Sequence, residues 1–275
     1  MSDNGVGSLN SKRVLVTGSS TGIGRAIAVA LGEAGARVVL HGRSISDELK
    51  STAKRIEESG GQATCVACDF SSGEHDLESR LTEFADECWA AWGGIDILVN
   101  NAGGDVLTGA AAEWSFEEQL RYVLEVDVMG TLLLSRIFGA QMLQQCSKDN
   151  STEQAQGSCS IVNVGWDQAA QGMAGDSGEM FATSKGAIMA MTRSLAQSLA
   201  PQVRVNCVAP GWIQTQWGEG ASDAWQQRAM SESLMQRWGK PEDVASLVTF
   251  LVSDQASFVS GQIIPVNGGF KYSSD

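Results

Sequence analysis

Short runs of β-branched and apolar residues alternate along this 275-residue chain with longer stretches whose apolar positions recur at helical spacing. Strand-like runs fall at 13–17, 37–41, 63–68, 95–100, 160–164, 203–208 and 262–266. Helical patterns fall between them, at 23–34, 46–59, 75–92, 115–145, 179–200 and 241–253. The runs Val38–Leu40 and Ile95–Val99 are almost wholly apolar, as strands covered on both faces require. Such alternation predicts an α/β fold, a doubly wound parallel sheet of about seven strands with right-handed crossovers.

Three stretches stand outside this pattern. Residues 1–10 read as a disordered tail, leaving 11–275 as one domain. The polar stretch 146–159 reads as an exposed loop. The segment 211–236 holds Trp212, Trp217 and Trp225 with Gly218 and Gly220, is long for a connection, and is expected to act as a substrate lid.

Composition narrows the function classes. Hydrophobic residues make up 43% of the chain, yet no run of eighteen apolar residues occurs, so no membrane span is expected. The first residues lack the basic and apolar regions of a secretory signal. A net charge of −13 argues against nucleic acid as a partner, because phosphate backbones bind clustered Lys and Arg. Six scattered cysteines in a chain of this size imply a reduced, cytoplasmic setting. Cys65 and Cys68 form a CxxC, but within a strand residues three apart point to opposite faces. With His41 and His75 far apart in sequence, no metal site is expected.

The first strand runs into Thr17-Gly-Ser-Ser-Thr-Gly-Ile-Gly24 and then a helix. Gly18, Gly22 and Gly24 let the backbone turn sharply and approach a pyrophosphate, with Ser20, Thr21 and Ile23 between them. The helix N-terminus offers free N–H groups to the phosphates. The position of this trio, after a first strand and opening a helix, makes it a strong dinucleotide signature.

The Thr-Gly-x-x-x-Gly-x-Gly spacing resembles the short-chain dehydrogenase/reductase family. Further matches follow in order: Cys68-Asp69, Asn100-Asn-Ala-Gly103, Lys185, Pro210-Gly211 with Thr215, and Ser260-Gly-Gln with Asn267-Gly-Gly269. They span roughly residues 11–270. The resemblance implies a Rossmann-type three-layer α/β/α fold and a small-molecule substrate. It implies that Asp69 contacts the adenine, that Asn101, Ala102 and Gly103 line the ribose, and that Ile213–Thr215 hold the carboxamide. It also implies a homotetramer, or a dimer, paired through the helices at 115–145 and 179–200. Strand two ends in Leu40-His-Gly-Arg43, with no carboxylate at Gly42 for a ribose 2′-hydroxyl and with Arg43 available for a 2′-phosphate. NADP(H) is therefore expected over NAD(H).

The catalytic positions depart from the family pattern of Asn, Ser, Tyr and Lys. Lys185 is present, but Phe181 stands at the tyrosine position, Asp127 at the asparagine, and Gly165 and Trp166 where serine is expected. Phenylalanine donates no proton, and an indole N–H has no useful acidity. An ion pair between Asp127 and Lys185, direct or through water, would hold Lys185 in place and charged. Asp167 is the main candidate for a substitute acid, with Glu179 beside it and Asp176 weaker, in a stretch suited to a turn. Trp166, Met173, Met180, Trp212 and Trp217 are candidate walls of an apolar aromatic pocket. Three readings stay open: an NADP(H)-dependent oxidoreductase acting on a small, apolar or conjugated carbonyl or enone without the tyrosine acid, a non-redox enzyme, and a catalytically silent NADP(H)-binding protein.

Overall fold

A computed structural model describes residues 9–71, 76–148, 158–215, 218 and 220–271. Residues 1–8 of the expected tail, His75, 149–157 of the expected loop and Trp217 lie outside the described residues. Leu9 and Asn10 correct the tail's boundary. Leu9 is buried, because its apolar side chain joins the core and its N–H donates to Ala34 O at 2.8 Å.

Seven parallel strands form one sheet in the order β3-β2-β1-β4-β5-β6-β7. They are β1 (Arg13–Val16), β2 (Arg37–Gly42), β3 (Gln62–Ala67), β4 (Ile97–Asn100), β5 (Cys159–Val164), β6 (Val203–Pro210) and β7 (Ile263–Val266). The helices are α1 (Gly22–Glu33), α2 (Asp47–Glu58), α3 (Leu77–Trp92), α4 (Phe116–Val123), α5 (Gly130–Lys148), α6 (Gln168–Gln171), α7 (Asp176–Leu199), α8 (Asp223–Glu232) and α9 (Pro241–Val252). Strand alternation divides the core into two layers. Val14, Val16, Val38 and Leu40 pack beneath α1, α2 and α9, whereas Leu15, Val39, Leu98 and Ile161 pack beneath α3, α5 and α7. Cys65 joins the first layer and Cys68 the second, so the CxxC is split across the sheet.

The chain leaves β1 for β2 on one side and reaches β4 on the other, opening a crevice at their carboxyl ends. Two helical expectations needed revision. The stretch 115–145 is not one helix: a π-helical segment, Leu124–Met129, separates α4 from α5. Such insertions recur at functional sites, because the extra residue turns side chains out of the regular helical register. Helix α7 begins at Asp176, three residues before the expected start, with Asp176 and Glu179 placed favourably in its positive first turn.

Candidate functional site

The glycine turn is built by close backbone approach. Gly18 has φ +63, and a Cβ there would stand 2.8 Å from Ala102 Cα. A Cβ on Gly24 would lie 2.2 Å from Gly18 O and 2.4 Å from Asn101 Nδ2. Thr17 Oγ1 accepts from the N–H groups of Asn101 and Ala102, both at 3.0 Å, tying the end of β1 to the end of β4. Asn101 Nδ2 donates to Thr17 O at 3.1 Å and Gly18 O at 3.0 Å. Thr21 precedes α1 without a side-chain cap bond, and the helix's first turn carries no acidic residue. Its N–H groups therefore suit a phosphate.

A groove of about 610 Å³ runs along this crevice. Gly18, Ser20, Thr21, Ile23 and Gly24 line one side; Arg43 and Asp69 stand at one end, and Asn101, Ala102 and Gly103 line the floor with Thr215. Tyr122, on α4, lines it too, half-buried and edge-on to Trp114. Burial raises the Tyr122 phenol above its usual range, while nearby Arg43 opposes that shift. Asp69 is exposed, and its Oδ1 accepts from Ser71 N–H at 2.9 Å. Gly22 instead borders a neighbouring groove with Thr21, Arg25 and Thr215.

A second cavity of about 520 Å³ adjoins the groove. Its walls include Trp166, Met173, Phe181, Trp212, Trp225 and Trp238, and Pro210, Gly211 and Ile213 also border it. Ile23, Asn101, Phe181, Lys185 and Thr215 line both cavities, so they mark the junction. At that junction Lys185 Nζ lies 2.8 Å from Asp127 Oδ2, with Asp127 1% exposed. Asp127 Oδ1 accepts from Gly104 N–H at 2.6 Å. The π-helical segment carries this carboxylate, and the pair is direct. The Trp166 and Phe181 rings meet edge to face, 6.4 Å apart. Among the described lining residues of the aromatic cavity, Lys185 is the one ionisable side chain.

The acid candidates are not brought here. Asp167 lines neither cavity; its Oδ2 accepts from Asn267 Nδ2 at 3.0 Å, and burial raises its pKa above the usual carboxylate range. Helical geometry carries Ser177, Phe181 and Lys185 along one stripe of α7, which turns the exposed Glu179 away. Exposed Asp176 likewise lines neither cavity. Met180 packs in a separate cluster with Val106 and Val123.

The described residues of the segment expected as a lid join Trp238 in an aromatic and charged stack that sequence spacing does not reveal. Trp212 lies 5.3 Å from Trp225 and 6.0 Å from Trp238 between ring centroids. The Arg228 guanidinium sits over both Trp212 and Trp225, at 5.6 and 5.1 Å. Glu232 accepts from Trp212 Nε1 at 2.8 Å and pairs with Arg228 at 2.7 Å, completing the outer side of the wall. Ser177 and His41 were likewise missed as site residues: no motif marks Ser177, and His41 was weighed only as a metal ligand.

A family model described as enoyl-(acyl carrier protein) reductase matches residues 18–271. The 3-oxoacyl-[acyl-carrier-protein] reductase FabG of Aquifex aeolicus is 36% identical, over 95% of this chain and 98% of that protein. Among solved structures, a 7α-hydroxysteroid dehydrogenase with NADH and 7-oxo glycochenodeoxycholic acid aligns at TM-score 0.82 and 30% identity, covering 96% of each chain. A short-chain dehydrogenase from Burkholderia cenocepacia in complex with NADP aligns at TM-score 0.79 and 29% identity, covering 95% of this chain and 98% of that one.

Proposed function

The chain belongs to the short-chain dehydrogenase/reductase family of NAD(P)-dependent oxidoreductases, and from that premise we propose that it uses NADP(H) on a small, conjugated carbonyl or enone without a tyrosine acid. The observation that carries this reading is the junction itself. Lys185, paired with Asp127, and the hydroxyl-free Phe181 stand between a dinucleotide-shaped groove and an aromatic cavity. The glycine cradle and the uncapped start of α1 fit a pyrophosphate, and the carboxylate-free end of β2 with Arg43 fits a 2′-phosphate. When bound, the nicotinamide supplies the hydride.

This chain's residues then have limited roles. Asp127 keeps Lys185 oriented toward the ribose and neutralises its charge. Trp166, Trp212 and Phe181 stack a flat substrate and exclude water from its faces. Hydride addition to the β-carbon of an enone produces a resonance-stabilised enolate that solvent protonates once it leaves the cavity, so no side-chain acid is needed. Reduction of an isolated ketone needs a proton on the developing alkoxide, and among the described residues the aromatic cavity offers only the Lys185 ammonium, which is engaged by Asp127.

NADPH oxidation across matched enones and saturated ketones tests the reading, with turnover expected for the enones alone. That the described residues of the aromatic cavity include no ionisable side chain besides the paired Lys185 also favours a second reading, a silent NADP(H)-binding protein. Tight NADPH binding without turnover of any enone would establish that reading and defeat the first. Cofactor choice is tested by titrating NADPH and NADH: Arg43→Ala should weaken NADPH by roughly 10- to 100-fold and leave NADH unchanged, as loss of a charge-assisted contact implies. We also propose a cytoplasmic homotetramer paired through the helices over 115–145 and 179–200. A light-scattering mass of two chains would reduce it to a dimer, and one chain would exclude both.

A further inference from the structure

His41 makes an arrangement that neither a metal site nor a packing role requires. It lies on β2, 2% exposed, stacked on Phe70 at 4.4 Å and edge-on to Phe84 at 4.9 Å. Both ring nitrogens face backbone groups of the nucleotide groove. Gly18 N–H donates to Nδ1 at 3.1 Å, and Nε2 lies 2.9 Å from Cys68 O. A peptide N–H only donates and a carbonyl only accepts, so Nδ1 must be bare and Nε2 must carry the proton. The main chain of the same residue also grips the turn: Ser19 N–H donates to His41 O at 2.9 Å, and His41 N–H to Ser19 Oγ at 2.9 Å.

We infer that His41 is the positioning residue of the dinucleotide site, coupling the pyrophosphate turn at Gly18 to the adenosine end at Cys68-Asp69 through one imidazole. A single ring sets the separation of the two segments that grip opposite halves of the cofactor. Gly18, with φ +63, has its N–H turned into the protein by this bond, as Ser19 has by its bond to His41 O, which leaves Ser20, Thr21 and the start of α1 to line the groove. Burial holds the imidazole neutral, lowering its pKa to about 4 against the opposing pull of Asp69, so its acceptor survives at physiological pH. Asp69 needs the second bond, because it directly follows the carbonyl that His41 holds. The inference rests on reading the groove as a dinucleotide site.

Two variants separate positioning from packing. His41→Asn keeps an acceptor near the Nδ1 position but cannot reach Cys68; His41→Gln reaches toward Cys68 but withdraws the acceptor from Gly18. Both lose the ring stack equally. With NADPH, NADH and adenosine titrated calorimetrically, the Asn variant, which frees Cys68, should weaken all three by about tenfold, the worth of one buried hydrogen bond, and the Gln variant, which frees Gly18, should weaken both dinucleotides by about tenfold and leave adenosine within about threefold. An equal adenosine response in the two variants, or no loss of dinucleotide affinity in either, overturns the positioning role while leaving the groove assignment intact. Failure of the wild-type protein to bind either nucleotide defeats the groove reading and this inference together. Nitrogen-15 NMR of the imidazole tests it without substitution. The expected state at pH 6 is neutral with the proton on Nε2; a charged ring or an Nδ1–H tautomer overturns the inference.

Discussion

The nucleotide groove and the aromatic cavity meet at Lys185 but are made in opposite ways. The groove is built from main chain: a glycine turn, carbonyls held by Asn101, N–H groups held by Thr17, and an imidazole joining two loops. The cavity is built from side chains, chiefly indoles drawn from β5's end, the β6 exit, α8 and the approach to α9. Main-chain architecture constrains which residue types can stand at each position, whereas a wall of large side chains can be redrawn ring by ring. On the proposed function, one half would keep a cofactor fixed while the other would set what reacts with it. The Asp127–Lys185 pair belongs to both halves, and disturbing it tests how far they are separate.

The largest effect should come at that pair. Asp127→Ala leaves the Lys185 ammonium without its partner and Gly104 N–H without its acceptor, and should cost about 3–5 kcal/mol in urea unfolding. Asp127→Asn, which keeps an acceptor, should cost clearly less; equal losses would mean that the effect lies in charge pairing and that the Gly104 bond contributes little.

Next in size is the pH response of the groove. His41 has a pKa lowered to about 4 in the fold, so below its unfolded value of about 6.5 the unfolded chain takes up a proton that the native chain refuses. Stability therefore falls as pH falls through that window, by about 1.4 kcal/mol per unit and about 2 kcal/mol between pH 6.5 and 5. Unfolding titrations of His41→Asn should lack this part of the slope; an unchanged slope would place its origin elsewhere.

A substitution confined to the turn should be smaller. Gly24→Ala forces a Cβ against Gly18 O and the Asn101 amide, costing about 1–3 kcal/mol by overpacking and weakening NADPH at least tenfold in a direct titration. Smallest of all is Ser177→Ala in the cavity wall. It should move stability by less than about 0.5 kcal/mol and leave NADPH affinity unchanged, altering only KM for substrates with a polar group at that end. A change in nucleotide affinity there would break the distinction between the two halves. Phe181→Tyr sharpens it from the other side. A phenol beside Lys185 would have its pKa lowered, and gain of ketone reduction would show that the groove already presents the cofactor competently.

The sheet and the groove were legible because their signals are local. Strand limits fell within one or two residues of the apolar runs, and Gly18, Gly24, Asn101 and Lys185 lie where their motifs imply. The aromatic cavity was only partly legible. Trp166, Met173 and Trp212 line it as expected, but Met180 points into another cluster, and Trp225 and Trp238 enter through lid packing. Asp167 lines neither cavity, because nearness in sequence to the Lys185 segment says nothing of Asn267, the partner one hundred residues away that holds its carboxylate. His41 was passed over because a histidine was weighed as a ligand rather than as a spacer.

By itself the sequence determined the parallel sheet, the crevice at its switch point and a phenylalanine at position 181, since periodicity, glycine spacing and residue identity are properties of short stretches. Tertiary structure alone decided that Asp127 meets Lys185 directly, that His41 bridges Gly18 and Cys68, and that Arg228 and Glu232 back the indole wall. These contacts join residues 20 to 60 positions apart or lie in a lid without periodicity. Their geometry depends on strand order, on one π-helical insertion and on which helix face meets the sheet, none of which a local pattern encodes.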